Sequence, residues 1–318
     1  MRLHTKISPI AATLLLSLSA MSIAQAEDHM DKVSVSGFID MSYLSIDTDG
    51  AGSTSDSGID QVEFNFAYNF GDKLKAFVDV EYQGSEVDLE QAFLTYAVSD
   101  EFSVKAGRFL SYSGWETEEP TGLFQYSGTG YAKYFYGYYQ QGVSGLYSGD
   151  GYAIAVSVVN DLAGPESTNS EEPGIETMIA LMPTDSITIK GFYSFDKLAG
   201  TNEDTTMVNV WASYSEGPIT LAAEINTSQY TSLAAADASG YLLMANYAFD
   251  TLGVTVRYHN YEVEDAVGVT WEDMSAITIA PSYAVNDNLL MVFEYRMDSD
   301  DVSGMDSDSI AIEALVTF

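Results

Sequence analysis

Residues 61–82 read QVEFNFAYNFGDKLKAFVDVEY, and this stretch decides the fold class of the chain. Apolar residues occupy every second position of Val62–Phe70, and most positions between them are polar. After the turn Gly71–Lys73 the same alternation resumes over Leu74–Tyr82. Side chains of a β-strand point to opposite faces in turn, so the stretch predicts two strands, each with one apolar face, joined by a tight reversal.

This alternation recurs from Lys32 to Phe318, in segments of about ten residues. We count about sixteen such segments, and other choices of connector boundaries give a range of about twelve to eighteen. Short turns such as Asp250–Thr251 alternate with longer polar connectors such as residues 47–58 and 262–273. Short periplasmic turns and long exterior loops are typical of a transmembrane antiparallel β-barrel.

A secreted soluble β-sandwich shows the same alternation, so strand length has to separate the two folds. Soluble strands average about five or six residues, whereas a tilted membrane strand needs about nine to eleven. The predicted outward faces end in aromatic residues, as expected at the two membrane interfaces. An open sheet would leave unpaired edges in hydrocarbon, so we predict an all-β fold whose sheet closes on itself.

The N-terminus has the order of a secretory signal peptide. Two basic residues precede the apolar run Ile10–Leu18, and small residues follow it up to the motif Ala24–Ala26. We predict export and cleavage after Ala26. The chain then consists of a signal peptide, residues 1–26, and one outer-membrane barrel, residues 27–318.

Composition excludes several classes of function. The 318 residues include 12 Lys and Arg against 47 Asp and Glu, which leaves no basic surface for a nucleic acid. Cysteine is absent, which excludes thiol catalysis and metal-thiolate centres.

We expect no cofactor and no metal site, because the stretch Asp47–Gly50 begins like a calcium loop but lacks its later acids. We expect no enzyme, since only His29 and His259 remain after cleavage and no catalytic set can be assigned to them.

The chain resembles the Gram-negative outer-membrane porins. The resemblance rests on the signal peptide, the alternating strands and a terminal Phe318 preceded by the outward stripe of Ile312, Ala314 and Val316. It implies that Phe318 lies on the closing strand and is the assembly signal read by the barrel assembly machinery. The segment Val87–Pro120 looks like the putative β-barrel porin-2 (OmpL-like) group. The loop motif of the trimeric general porins is missing, and we leave monomer and homo-oligomer open.

More than half of the acids fall in the predicted long connectors, where Lys133 and Lys197 oppose them. Like charges around a pore mouth enrich the opposite ion, so we expect the exterior mouth to favour cations. A solvated acidic surface, or loops bridged by divalent ions to lipopolysaccharide, is the alternative interpretation.

Candidate pore residues come from the third exterior connector and from the inner faces of the strands. The porin resemblance implies that residues 111–136 fold into the barrel. Glu116, Glu118 and Glu119 would then face basic side chains across a constriction, unless these acids lie outside like the others. The charged candidates on the predicted inner faces are Lys75, Asp79, Lys105, Lys190, Arg257 and Arg296. Arg108 breaks the alternation of its strand and marks either a bulge near the rim or an inward turn.

The sequence thus predicts a passive outer-membrane channel for small hydrophilic solutes and ions that prefers cations. A structural or adhesive barrel with a closed lumen would show the same strand pattern. The tyrosine-rich stretch Tyr131–Tyr139 also allows a sugar-selective porin with an aromatic track, although we prefer an aromatic belt at the membrane interface.

The expected partners are outer-membrane lipid and lipopolysaccharide, the barrel assembly machinery, small hydrophilic solutes and other copies of the chain.

Overall fold

A computed structural model of the chain describes residues 32–84, 86–162, 172–197, 204–230 and 235–318. The predicted signal peptide lies outside the described residues. The strands, in chain order, are β1 Val33–Thr48, β2 Gly52–Gly71, β3 Leu74–Gln83, β4 Glu86–Ala97, β5 Phe102–Leu110, β6 Tyr139–Gly149, β7 Tyr152–Val159, β8 Gly174–Thr184, β9 Ile187–Lys197, β10 Asp204–Glu216, β11 Ile219–Tyr230, β12 Ala235–Phe249, β13 Leu252–Asp265, β14 Thr270–Ala284, β15 Leu289–Asp300 and β16 Ser307–Thr317. A 3₁₀-helix, Pro120–Gly122, and a short helix α1, Ala132–Phe135, lie between β5 and β6.

The sixteen strands form one closed antiparallel barrel. Each strand pairs with its neighbours in the chain, and β1 pairs with β16 to complete the ring. At the seam, Gly37 and Phe318 exchange two backbone hydrogen bonds of 3.0 Å. The predicted fold class, including the count of sixteen strands, is confirmed.

No helix among the described residues has both the length and the apolar character needed to cross a membrane.

The two faces of the barrel follow the predicted alternation. On β11, Leu221 and Ile225 are exposed on the outside, while Thr220 and Glu224 are buried on the inside. An apolar band on the outer face fits a lipid environment, and polar residues on the inner face fit a lumen.

Several exterior connections are shorter than predicted because the strands continue beyond the expected ends. Most of residues 47–58, expected as a loop, belong to the paired strands β1 and β2. The last pair before the turn is Thr48 opposite Gly52. The expected loop 262–273 is reduced in the same way to residues 266–269. In these extensions the backbone hydrogen bonds of the ladder persist although polar residues lie on both faces, so hydrophobic alternation does not reveal them.

Candidate functional site

The connection between β5 and β6, residues 111–138, is called loop L3 and lies inside the barrel. Its groups bond to inward-facing side chains on opposite sides of the wall. The Tyr126 hydroxyl lies 3.1 Å from the hydroxyl of Ser42 on β1, and the Gly114 N–H donates to Asn209 Oδ1 on β10 at 3.2 Å. L3 therefore crosses the lumen and narrows it.

The first anchor of L3 is an ion pair between Arg257 on β13 and Glu116. Arg257 is 0% exposed, and its Nη1 donates to Glu116 Oε1 at 2.6 Å. The same guanidinium donates to the carbonyl of Ser127 at 2.6 Å and to Thr278 Oγ1 at 3.1 Å. Since both charges are buried and bonded on several sides, the pair fixes the middle of L3 against β13 and β14.

The second anchor is the carboxylate of Glu224 on β11. It accepts hydrogen bonds from the Trp115 N–H at 2.9 Å and the Tyr131 hydroxyl at 2.7 Å, and also from the Tyr136 hydroxyl and the Asn209 amide. Burial, followed by the charge of Glu224, raises the pKa of both tyrosines well above the ordinary value. Both hydroxyls therefore remain donors to this carboxylate.

Aromatic residues of L3 pack against the inner wall beside these anchors. Tyr131, Phe135 and Tyr136 are buried against inward-facing apolar residues that include Leu242 and Val263. The preferred interpretation of this tyrosine-rich stretch, a belt at the membrane interface, is wrong for these three rings. Because the rings are buried against the wall, they do not form an aromatic track for a sugar.

The basic candidates pack against rings and against L3. Lys105 Nζ lies 4.9 Å from the ring centres of Phe109 and Tyr112, and Lys190 Nζ lies 5.4 Å from the ring of Trp211. Arg296 Nη1 donates to a backbone carbonyl of L3 at 2.7 Å, and Nη2 pairs with Asp298 at 2.5 Å. Lys75 is half-buried on the inner face of β3. The charged groups of Lys105 and Lys190 are therefore held against aromatic rings, and that of Arg296 is held by L3 and Asp298.

Glu118 and Glu119 face other carboxylates instead of bases. Glu119 accepts hydrogen bonds from Gln61 Nε2 at 3.2 Å and from the Tyr139 hydroxyl at 2.8 Å. Burial, followed by the neighbouring Glu63, raises the pKa of Glu119 to about 9. Burial, followed by the charge of Glu81, also raises the pKa of Glu118. Of the three L3 acids expected to face bases, only Glu116 pairs with one among the described residues.

Two β-bulges aim additional acids into the lumen. The β1–β2 register shifts between Asp40 and Met41, so Asp60 is an extra residue on β2. The β3–β4 register shifts between Asp79 and Val80, so Glu90 is an extra residue on β4. A bulge resets the alternation of its strand. Strict alternation places Asp60 and Glu90 on the lipid face, which is why sequence reasoning missed both.

Asp79 occupies the inner position expected for it. It is buried beside the β4 bulge, where it accepts a hydrogen bond from Gln91 Nε2 at 2.7 Å.

Arg108 lies in the wall between β4 and β5, at the exterior end of the ladder that joins them. The β4–β5 ladder runs only from the pair Ala92 and Arg108 to the turn, while β4 remains paired with β3 as far as Glu86. Arg108 Nε donates to the carbonyl of Glu90 at 2.8 Å, where the ladder to β5 has ended. A cavity of about 700 Å³ lies at this divergence.

A second cavity of about 380 Å³ lies between L3 and the inner faces of β1 and β2. The described acids that line the two cavities are Asp40, Asp60, Glu81, Asp88, Glu90, Glu116 and Glu118. Among the described lining residues, Arg108 is the only base. The charged residues that line these two cavities are therefore mainly acids.

A closed barrel of sixteen strands with an inward third loop defines the class of outer-membrane porins. Residues 33–318 match the family model described as "Putative beta-barrel porin-2, OmpL-like", and the chain belongs to this family. The family expected from Phe318 and the segment Val87–Pro120 is thereby confirmed. Family and fold make the protein an outer-membrane channel and not an enzyme.

Solved porins share the fold at low sequence identity. OmpF of Salmonella typhi, solved in complex with daunomycin, is 18% identical over 90% of this chain and 97% of its own, with a TM-score of 0.71. An anion-selective porin from Comamonas acidovorans is 14% identical over 90% and 99%, with a TM-score of 0.70. OmpT of Vibrio cholerae, in a trimer form, is 13% identical over 91% and 100%, with a TM-score of 0.63. Among curated protein sequences, none matches the chain.

Proposed function

We propose that this porin is a passive channel for small hydrophilic solutes and ions, with a preference for cations. The observation that carries the proposal is the acidic lining of the two cavities, one between L3 and β1–β2 and the other where β4 and β5 diverge, in which Arg108 is the only base among the described residues. Fixed negative charge at a narrow, low-dielectric passage raises the local concentration of cations and repels anions.

The placement of the bases supports the same preference. The positive charge of Arg257 is neutralised by its ion pair with Glu116. The ammonium groups of Lys105 and Lys190 lie over aromatic rings. The anion-selective porin of Comamonas acidovorans has a similar fold, so the fold alone does not set selectivity. The sign of selectivity then depends on the side chains that line the passage.

Reversal potentials across a KCl gradient in a planar bilayer test this proposal. We expect a cation-selective current at low salt, where the Debye length is about 30 Å, and a weaker preference at 1 M, where it is about 3 Å. Neutralising Asp60, Glu81 and Glu118 together should reduce the selectivity, because these acids line the cavities. A matched control neutralises three acids in periplasmic turns, namely Asp100, Glu101 and Asp150, and should leave it nearly unchanged.

A structural barrel with a closed lumen is the second candidate. It is favoured by the contacts of L3 with both sides of the wall, at Ser42 on β1 and at Asn209 on β10. A folded protein that carries no current would support this second candidate. An anion-selective current would contradict the charge argument for the first.

We also propose that the protein is exported with cleavage after Ala26, and that residues 27–318 reach the outer membrane as one barrel.

Its partners would be outer-membrane lipid and lipopolysaccharide, the assembly machinery that reads Phe318, and copies of itself. The trimer form of OmpT supports an oligomer. Native mass spectrometry of protein extracted from the membrane measures both the chain mass and the copy number. A chain that retains residues 1–26 would contradict cleavage, and a single copy would contradict the oligomer.

A further inference from the structure

We propose that Glu63 on β2, Glu90 on β4 and Glu119 in L3 form a binding site for one Ca²⁺ ion, which joins the loop to the barrel wall. The site shares Glu90 with the acidic cavity lining described above, and a binding measurement tests it without any current.

The three carboxylates meet although they come from three separate elements. One oxygen from each lies within 4.8 Å of the others. The β4 bulge turns Glu90 inward, the β2 ladder places Glu63 opposite Glu81, and L3 brings Glu119 down onto them. The hydrogen bonds from Gln61 and Tyr139 hold the Glu119 carboxylate in this position.

The cluster contains buried carboxylate oxygens that have no hydrogen-bond partner among the described residues. Glu63 is 2% exposed and Glu90 is 5% exposed, and Oε2 of each accepts no hydrogen bond from the described residues. None of the ion pairs among the described residues includes the three carboxylates. Buried carboxylates without a partner are costly, so groups of them bind a cation or hold protons.

The chemistry of the three carboxylates favours Ca²⁺ over other cations. Carboxylate oxygens are ligands for hard divalent ions. Ca²⁺ also accepts irregular coordination that water completes, and the cavity of about 700 Å³ next to Glu90 leaves room for water and for entry of the ion.

The sequence predicts no metal site, because its calcium-like stretch Asp47–Gly50 lacks the later acids of a calcium loop. The three acids lie far apart in the chain, and alternation assigns Glu90 to the lipid face. Only the bulge and the inward path of L3 bring them together.

Calorimetric titration of CaCl₂ into the detergent-solubilised barrel, stripped with EDTA and kept at 150 mM NaCl, tests the site. We expect one saturable Ca²⁺ site per chain, with weaker binding of MgCl₂. Glu90→Gln and Glu119→Gln should each weaken Ca²⁺ binding by about tenfold or more, since ligand sets lose at least this much when perturbed. Glu119 lies in the loop, so Glu119→Gln leaves the strand ladders intact even where Glu90→Gln impairs folding.

Glu313→Gln on β16 is the matched control, because Glu313 is also a buried, inward-facing carboxylate and lies outside the site. It should retain the affinity of the wild type. The proposal is overturned by the absence of saturable Ca²⁺ binding, which means that protons hold the cluster. It is equally overturned if both glutamine variants bind as the wild type does, because the ion then sits on other acids.

Discussion

Replacing Arg257 by Met is expected to destabilise the protein by about 3–5 kcal/mol and to release the middle of L3 from the wall. The substitution leaves the buried Glu116 carboxylate without its charge partner and removes the donor to the Ser127 carbonyl. The strand ladders do not include these bonds, so the barrel should still form. The free energy of unfolding in urea and the single-channel conductance measure the two effects, and conductance should rise as L3 loosens.

A double variant, Arg257→Met with Glu116→Gln, is the control for this result. It removes both charges, so we expect it to recover part of the lost stability, because an uncompensated buried charge costs more than the absence of the pair. Wild-type stability and conductance in Arg257→Met would contradict the role of this pair as an anchor.

The second large effect is expected for Glu224→Ala. Four donors then lose a common acceptor. The Trp115 N–H keeps the Tyr136 hydroxyl and the Asn209 amide keeps Asn226 as a second partner, and a buried donor left without any partner costs about 1–3 kcal/mol. The backbone N–H of Trp115 and the hydroxyls of Tyr131 and Tyr136 belong to L3, so the loss should fall mainly on the loop. Hydrogen exchange measured by mass spectrometry should show faster exchange over residues 111–138 than over the strands.

Glu224→Gln keeps one acceptor oxygen and should give an intermediate exchange rate. Glu216→Ala removes an exposed carboxylate at the end of β10 and should leave exchange in L3 unchanged. Equal protection of L3 in Glu224→Ala and the wild type would show that the aromatic packing alone holds the loop.

The sequence predicts the barrel well because a membrane strand has only two environments. Positions such as Leu221 and Thr220 face lipid and lumen respectively, and their polarity differs accordingly. The alternation therefore carries both the strand count and the orientation of most side chains. Prediction from alternation fails where both faces of a strand are polar, as at the end of β1 near Asp47. Backbone hydrogen bonds still pair the strands there, but they require no alternating pattern of side chains.

The candidate site is less predictable from sequence for two physical reasons. A bulge shifts the alternation of a strand by one residue without any special residue type, so strict alternation does not place Asp60 and Glu90 in the lumen. Inside a barrel, moreover, a loop side chain can reach any inward residue, and Glu116 finds a partner 141 positions away. Charge type and parity identified Arg257 as an inner residue but did not identify what it binds.

The seam between β1 and β16 has a consequence for the order in which the protein folds. All other strand pairs are neighbours in the chain and can form as local hairpins, but Gly37 and Phe318 bond from almost opposite ends of the described residues. Contacts of such long sequence separation are slow to form because loop closure comes first. Until the last strand arrives, the growing sheet has two unpaired edges that favour aggregation. We expect ring closure to be the late, rate-limiting event of assembly.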